Sequence, residues 1–412
     1  MQPADSSHIG QRPRFPALDP EPPPHPWRRA GATLIVLVLA ALGSWLGYNL
    51  SGAAPRPHHR ATVSVSFVRG LSGVVLDETP GSYLSETDMQ TGKAVVFKNL
   101  GQFSSNPDPA VSADGKYLLD AAVGRLLSLS SLGHPQAVQN QLSFVPGDMP
   151  GFMADPWSDR DTGVVELTYP VGSQDIQSTI AVAAVTSVRS GRALSLGSAD
   201  SAAGDPRQAG AFIAVPKPGR PLPDGNQPDA RVVLADVGAR TRVLATAAQL
   251  SHVLGIKKGT ALSLVPIPNS QGSKVAVQVS TITGNASGTM IESAGGIVVL
   301  SRSGAVLGSA PGGGGGLGWT GWSHSGNTLA FVGYGSSHPE LIGWTIGARS
   351  VTTTLRDSSQ QGPTACAWSP DDTAVICDGG PRGNWLVIRS GTESVAAGQG
   401  QPLMWVNGRL GG

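Results

Sequence analysis

A short unit recurs along the chain: an apolar or aromatic residue, a serine, a few turn-forming residues and then an apolar run. Its clearest copies are VSADGKYLL (111–119), WSHSGNTLAF (322–331) and WSPDDTAVIC (368–377), and a looser copy begins at Trp157. Gly, Asn and Asp suit a tight turn because φ is positive at one of its positions. The unit therefore predicts a β-hairpin whose turn is defined by Ser112, Asp114, Gly115, Trp322, Ser323, Gly326, Trp368, Ser369, Asp371 and Asp372.

The spacing of this unit constrains the architecture. Weaker copies near residues 67, 213 and 266 join those at 111, 157, 322 and 368, so that starts fall about 45 to 55 residues apart. A second strand–turn–strand signal follows several copies, for example Ser190-Gly191-Arg192 before ALSL. Two hairpins per repeat form a four-stranded blade, and the spacing predicts an all-β propeller of about seven blades, with six or eight as alternatives.

The Trp-Ser-Pro-Asp unit followed by an apolar strand resembles the repeat of TolB-type and WD40-like β-propellers. The resemblance covers nearly all of residues 61–412, and it implies one propeller domain. An array of β-sandwiches is the alternative architecture, although it should show sharper domain breaks. The C-terminal stretch QPLMWV (401–406) is typical of a strand, which we expect to pair with the first blade and close the ring.

The N-terminal region differs from the repeats. Residues 1–29 are rich in proline and predict a disordered cytoplasmic tail. Residues 30–50 carry no charge and would span about 31 Å as a helix, which is the thickness of a bilayer core. Arg28 and Arg29 favour a cytoplasmic N-terminus. We expect a retained transmembrane helix, a linker over 51–61 and an extracytoplasmic propeller over 62–412; a cleaved signal peptide is the alternative.

The only two cysteines, Cys366 and Cys377, flank one of the predicted hairpin turns. Strand alternation brings them roughly opposite each other, and thiols outside the membrane tend to oxidise. We expect a structural disulfide. Two unpaired buried thiols and a redox or metal site are the alternatives, although the spacing is not Cys-x-x-Cys.

No catalytic, cofactor-binding or metal-binding motif stands out in the sequence. The histidines form no zinc-binding pattern, and no Gly-x-Ser-x-Gly nucleophile turn is present. Two aspartate groups, 155/159/161 and 371/372/378, could hold calcium, but aspartate is also a common turn residue. Since the net charge is only +1, nothing indicates a nucleic-acid partner.

The predicted single membrane helix and propeller together indicate that the protein is a binding scaffold in the cell envelope. Arginine outnumbers lysine 22 to 7, as is common in GC-rich bacteria. The expected partners are the membrane and an envelope protein, peptide or glycan, since propeller loops form rigid recognition surfaces. A hydrolase or lyase with its site in the central funnel is one alternative. A signalling component acting through the proline-rich tail is another.

Overall fold

The computed structural model describes residues 71–97, 102, 110–112, 115–120, 125–129, 156–168, 181–215, 231–238, 241–284, 290–312, 316–334, 338–348, 350–359, 362–396 and 398–407. The predicted tail, transmembrane helix and linker (1–29, 30–50 and 51–61) lie outside these residues. In the part of the chain that the structure describes, no helix is both long and apolar enough to cross a bilayer.

Seven antiparallel sheets follow one another along the chain, which confirms a seven-bladed β-propeller. Blade 1 consists of β1 (Val74–Glu78), β2 (Leu84–Asp88), β3 (Ala94–Val96) and the C-terminal strand β27 (Gln401–Val406). Blade 2 has three described strands, β4 (Ala110–Val111), β5 (Tyr117–Asp120) and β6 (Arg125–Ser128). Blade 3 consists of β7 (Trp157–Ser158), β8 (Gly163–Thr168), β9 (Ala181–Ser187) and β10 (Ala193–Ala199).

The remaining four blades each contain four described strands. Blade 4 consists of β11 (Ser201–Gly204), β12 (Gly210–Val215), β13 (Arg231–Asp236) and β14 (Arg242–Thr246). Blade 5 consists of β15 (Ala261–Pro268), β16 (Lys274–Gly284), β17 (Met290–Ser301) and β18 (Val306–Pro311). Blade 6 consists of β19 (Gly316–Trp322), β20 (Thr328–Tyr334), β21 (Pro339–Thr345) and β22 (Val351–Thr354). Blade 7 consists of β23 (Cys366–Trp368), β24 (Ala374–Cys377), β25 (Trp385–Arg389) and β26 (Thr392–Ala396).

The strands of each blade are called a to d in the order in which they lie in the sheet, and strand a is innermost. The innermost strands of neighbouring blades contact one another. The contacting pairs are β7 with β11, β11 with β15, β15 with β19, β19 with β23, β23 with β27, and β27 with β4. Strand a of blade 1 is β27, which pairs antiparallel with β1 and closes the ring as expected. We call the end with the a–b and c–d connections the turn rim, and the opposite end the loop rim.

The core lies between successive blades because strand side chains alternate between the two faces of each sheet. Val75 and Trp405 of blade 1, for example, pack with Ile376 and Trp385 of blade 7. Val332 of blade 6 packs in turn against the other face of blade 7. Blade 7 is therefore buried on both faces, between blades 6 and 1.

The recurring unit forms the a–b turn, as predicted. In blade 7 the Ser369 hydroxyl accepts hydrogen bonds from the backbone N–H groups of Thr373 (3.1 Å) and Ala374 (2.9 Å). Ser112 does the same in blade 2, and Ser323 in blade 6. Asn269 occupies this position in blade 5 and accepts from Ser273 and Lys274. These side chains are buried, so the hydroxyl or amide replaces water for backbone donors inside the turn.

Two features of blade 4 differ from the sequence expectation. The predicted start near residue 213 is wrong, because Ile213 lies in the second strand, β12, and the a–b turn is at Asp205–Ala209. Asp205-Pro206-Arg207 is a turn sequence without the tryptophan–serine signature. The chain also forms a helix, α1 (Ala247–Leu254), between blades 4 and 5. Thr246 and Gln249 cap its N-terminus reciprocally, and Gly255 ends it in the left-handed conformation.

The expected disulfide between Cys366 and Cys377 is confirmed. The two residues face each other on strands a and b of blade 7, with 4.1 Å between their Cα atoms. The bond from the Asp378 N–H to the Ala365 carbonyl identifies them as a non-hydrogen-bonded pair, the position at which cross-strand side chains lie closest.

We expect loss of this disulfide to lower the free energy of unfolding by about 2–3 kcal/mol, because the unfolded chain is then less constrained. Urea unfolding of the protein with and without dithiothreitol measures the difference. The double variant Cys366→Ala/Cys377→Ala is the control, since dithiothreitol should not change its midpoint. Identical midpoints for the oxidised and reduced wild-type protein would show that the bond does not stabilise the fold.

Candidate binding rim

The two rims differ in the length of their connections. Turn-rim connections are short, such as residues 369–373 in blade 7 and 302–305 in blade 5. Loop-rim connections are unequal: one is the single residue Asp200, whereas others cover residues 97–109, 169–180 and 216–230 or include helix α1. Variable loops on a rigid scaffold are where binding residues concentrate in proteins. The loop rim is therefore the candidate binding surface.

A hydrogen-bonded network joins blades 7 and 1 at the loop rim. Asp378, which follows β24, accepts bonds at Oδ1 from the backbone N–H groups of Thr364 (2.7 Å) and Ala365 (3.0 Å). Its Oδ2 accepts from the Thr364 hydroxyl at 2.6 Å. Gln401, the first residue of innermost strand β27, donates from Nε2 to the same hydroxyl at 3.3 Å. Thr364 is exposed, so this ordered polar group is presented to solvent beside the first strands.

Tyr334 extends this network to blade 6. Its hydroxyl donates to the Pro363 carbonyl at 3.3 Å, next to Thr364. A Cβ atom at Gly318 of strand β19 would lie 2.6 Å from this hydroxyl, so glycine is required for the phenol to take this position. Burial raises the pKa of Tyr334, and the Asp378 carboxylate adds to the effect. The phenol thus stays protonated and remains a hydrogen-bond donor at physiological pH.

Three acidic residues occupy the same position on strand b of blades 1 to 3. Asp77, Asp120 and Glu166 lie two residues beyond the strand-b partners of Trp405, Val111 and Trp157, respectively, toward the loop rim. All three are buried. Burial raises the pKa of Asp77 to about 7 and also raises the pKa of Glu166. Blades 4 to 7 carry Ile213, Val277, Phe331 and Cys377 at this position.

The Asp77 carboxyl is enclosed by hydroxyl groups. Ser85 Oγ donates to Oδ2 at 2.5 Å, and Thr87 Oγ1 donates to Oδ1 at 3.3 Å. Hydroxyls can also accept a bond from a protonated carboxyl, so both protonation states find partners here. Since Asp77 is only 1% exposed, this carboxyl does not present itself to a ligand at the rim.

The blade 7 aspartates considered as calcium ligands have different hydrogen-bond partners. In blade 7, Asp371 accepts bonds from the hydroxyl groups of Ser369 (2.6 Å) and Thr373, and the Ser369 bond lowers its pKa. Asp372 instead accepts from the N–H groups of His324 and Ser325 in blade 6. Asp378 lies at the opposite rim. Among the described residues, no three His, Cys, Asp or Glu side chains are grouped as metal ligands; Asp114 and Asp155 lie outside this part of the chain.

The tryptophans of the repeat connect neighbouring blades. Trp322 Nε1 donates to the Ile267 carbonyl of blade 5 at 2.8 Å, and Trp368 Nε1 donates to the Gly321 carbonyl of blade 6 at 3.1 Å. The predicted repeat residues therefore have structural roles at the turn rim. They do not form part of the network at the loop rim.

An ion pair between blades 4 and 5 was not anticipated from the sequence. Arg302 Nη1 donates to Asp205 Oδ1 at 2.8 Å, and Nη2 donates to Oδ2 at 2.5 Å. Asp205 is fully buried, whereas the Arg302 side chain is 18% exposed. The two residues are far apart in sequence. The one sequence signal for this ion pair is that Asp205 occupies the position of the repeat serine.

Comparisons with known proteins find similarity to solved structures at low sequence identity. No family model matches the chain, and no curated protein is significantly similar to it. Oligogalacturonate lyase from Vibrio parahaemolyticus is 12% identical, with 76% of this chain and 90% of that chain covered and a TM-score of 0.47. TolB from Acinetobacter baumannii is 10% identical, with 81% of each chain covered and a TM-score of 0.39. Acylaminoacyl peptidase from Pyrococcus horikoshii is 10% identical, with 79% of this chain and 50% of that chain covered and a TM-score of 0.48.

Proposed function

We propose that the protein is a membrane-anchored extracytoplasmic scaffold that binds an envelope protein, peptide or glycan at its loop rim. The observation that carries this proposal is the asymmetry of the propeller. Short hydrogen-bonded turns form one rim, while the longest connections and the Gln401–Thr364–Asp378 network lie at the other. Polar groups held in place before a ligand arrives lower the entropic cost of binding.

The disulfide supports an extracytoplasmic location. Disulfides persist in oxidising compartments and are rare in the reducing cytosol. Cys366 and Cys377 lie next to Ala365 and Asp378, so this bond also fixes the strand ends that carry the rim network. The apolar segment over residues 30–50 would then serve as the membrane anchor.

An enzyme with its site in the funnel has one supporting observation, which is the raised pKa of Asp77. A carboxyl that titrates near pH 7 suits general acid catalysis. However, its burial and its two hydroxyl partners explain the raised pKa as a property of the blade core. The binding scaffold is therefore the function that the geometry supports best.

Site-specific cross-linking tests the scaffold. A photoreactive amino acid at Thr364 (loop rim) should capture a reproducible partner in native membranes. The same group at Ser390, on the turn rim of the same blade, is the matched control and should not capture it. Both positions are exposed. Equal capture at both positions, or none at either, would contradict binding at the loop rim.

A further inference from the structure

Five exposed arginines lie together on the turn rim of blades 3 and 4. Arg160 is in the a–b turn of blade 3, Arg189 and Arg192 flank its c–d turn, Arg207 is in the a–b turn of blade 4, and Arg242 begins β14. We call these five residues the arginine sector. They come from connections far apart in sequence, and the propeller topology brings them to the same rim of adjacent blades.

The acidic residues on the same turns as the arginine sector are buried or half-buried. Asp161 and Asp205 are buried, and Asp205 is paired with Arg302. Asp159 and Asp236 are half-buried, and Asp159 Oδ2 accepts a hydrogen bond from the Thr162 hydroxyl. Among the described turn-rim residues of blades 3 and 4, every fully exposed charged side chain is thus an arginine. The sector presents a positive surface although the whole chain is nearly neutral.

The backbone holds several of these arginines in fixed positions. Arg160 has a φ of 53°, in the left-handed region that disfavours residues with a Cβ atom, and its N–H donates to the Pro206 carbonyl of blade 4. Arg207 Nε donates to the Gln271 carbonyl, and Arg242 Nη2 donates to the Arg302 carbonyl. Each guanidinium has five N–H donors, so donors remain on both side chains for an anionic ligand.

The chain enters the propeller at this same rim. Strand β1 starts at the turn rim, where the Ser72 carbonyl accepts a hydrogen bond from Trp405 Nε1 and Val74 pairs with Val406. The first described residues, from Leu71, therefore lie at the turn rim. The predicted linker over residues 51–61 could extend to about 40 Å, a length that permits many orientations. Surface charge is what would select one of them.

We propose that the arginine sector binds the anionic phospholipid headgroups of the membrane that anchors the chain, so that the loop rim points away from the bilayer. This inference rests on the membrane anchor in the proposed function. Guanidinium groups match phosphate geometry through paired N–H donors. Each arginine near an anionic surface favours this orientation about fivefold. Orientation by the sector leaves the candidate binding rim open to partners.

Energy transfer in proteoliposomes tests this orientation with the full-length protein. Ser190→Cys, between two arginines of the sector, and Ser359→Cys, at the loop rim, each introduce one labelling site because the native cysteines are disulfide-bonded. The acceptor is a rhodamine-labelled lipid. The vesicles contain phosphatidylcholine alone or with 30% phosphatidylglycerol. We expect transfer from position 190 to rise with phosphatidylglycerol and to fall in 0.5 M NaCl, while transfer from position 359 does not rise.

Charge-reversal variants identify the residues responsible. Arg160→Glu/Arg189→Glu/Arg192→Glu should abolish the phosphatidylglycerol effect. Lys257→Glu/Lys258→Glu/Arg382→Glu, exposed at the loop rim, is the matched control and should preserve it. Thermal unfolding of both variants verifies the fold.

Three results would overturn the inference. If the protein stays in the membrane after carbonate extraction but shows no lipid or salt effect, the orientation fails while the anchor stands. If the sector variant shows the same phosphatidylglycerol effect as the wild-type protein, the sector does not bind the lipid headgroups. If carbonate removes the protein, the anchor itself fails, and the orientation fails with it.

Discussion

Replacing Arg302 by methionine is expected to lower the free energy of unfolding by about 3–5 kcal/mol. The variant leaves Asp205, whose side chain is fully buried, as a carboxylate without its two guanidinium partners. Only the Arg207 backbone N–H, at 3.0 Å, would still donate to it. A buried charge with one neutral donor is far more costly than an intact pair. Urea unfolding at neutral pH measures the loss.

The neighbouring Arg207 provides the matched control. It is exposed and donates from Nε to the Gln271 carbonyl, so Arg207→Met should cost less than about 1 kcal/mol. The double variant Asp205→Leu/Arg302→Met removes both charges and should recover most of the stability lost in Arg302→Met. If it remains as unstable as the single variant, the loss comes from packing around Arg302, which also lies over the Phe212 ring, and not from the buried charge.

The part of the fold that could be predicted from the sequence is the part fixed by local turn chemistry. Val111, Trp322 and Trp368 end first strands because the residues after them form tight turns. The Cys366–Cys377 pairing followed from the same argument, since a short turn leaves little freedom in register. Blade 4 was misplaced because Asp205-Pro206-Arg207 forms the same turn from different residues.

The candidate rim depended on contacts that no local pattern encodes. Gln401 meets Thr364 only because the C-terminal strand completes blade 1 and places its first residue beside blade 7. Asp205 and Arg302 pair across two blades for the same reason. The arginine sector likewise joins turns that lie up to about 80 residues apart, which alternation and turn signals cannot connect. Tertiary topology supplies this information.

Removing the Asp77 carboxyl charge is expected to change how stability depends on pH. Its pKa rises from 3.8, the ordinary value of a solvated aspartate, to about 7 in the fold, chiefly through burial. Between these values the native state binds more protons than the unfolded chain, so stability falls as pH increases. The stabilising contribution of this group is complete below about pH 4 and is lost as pH rises through about 7. A shift of this size corresponds to a loss on the order of 4 kcal/mol.

Asp77→Asn keeps the shape of the side chain and removes the titration. We expect the variant to be more stable than the wild-type protein at pH 8 and to lose less stability between pH 5 and pH 8. Urea unfolding at both pH values measures this difference. Some dependence of stability on pH should remain in the variant, because burial also raises the pKa of Glu166. Below about pH 4 the wild-type carboxyl is protonated in both states, so the variant should have no advantage there, which is the control.

The pH dependence of the Asp77→Asn variant also shows whether ionisation of this carboxyl weakens the strand pairing that closes the ring. Asp77 lies opposite Pro402 of β27, at a shift in register in the pairing that completes the ring. If the asparagine variant removes most of the pH dependence, the ring closure carries an ionisable group that weakens it above neutral pH. If the slope is unchanged, the carboxyl is solvated by opening of this strand pair, and its titration does not destabilise the native state. Hydrogen exchange of the β1 and β27 amides would then be faster than exchange in β24 and β25 of blade 7.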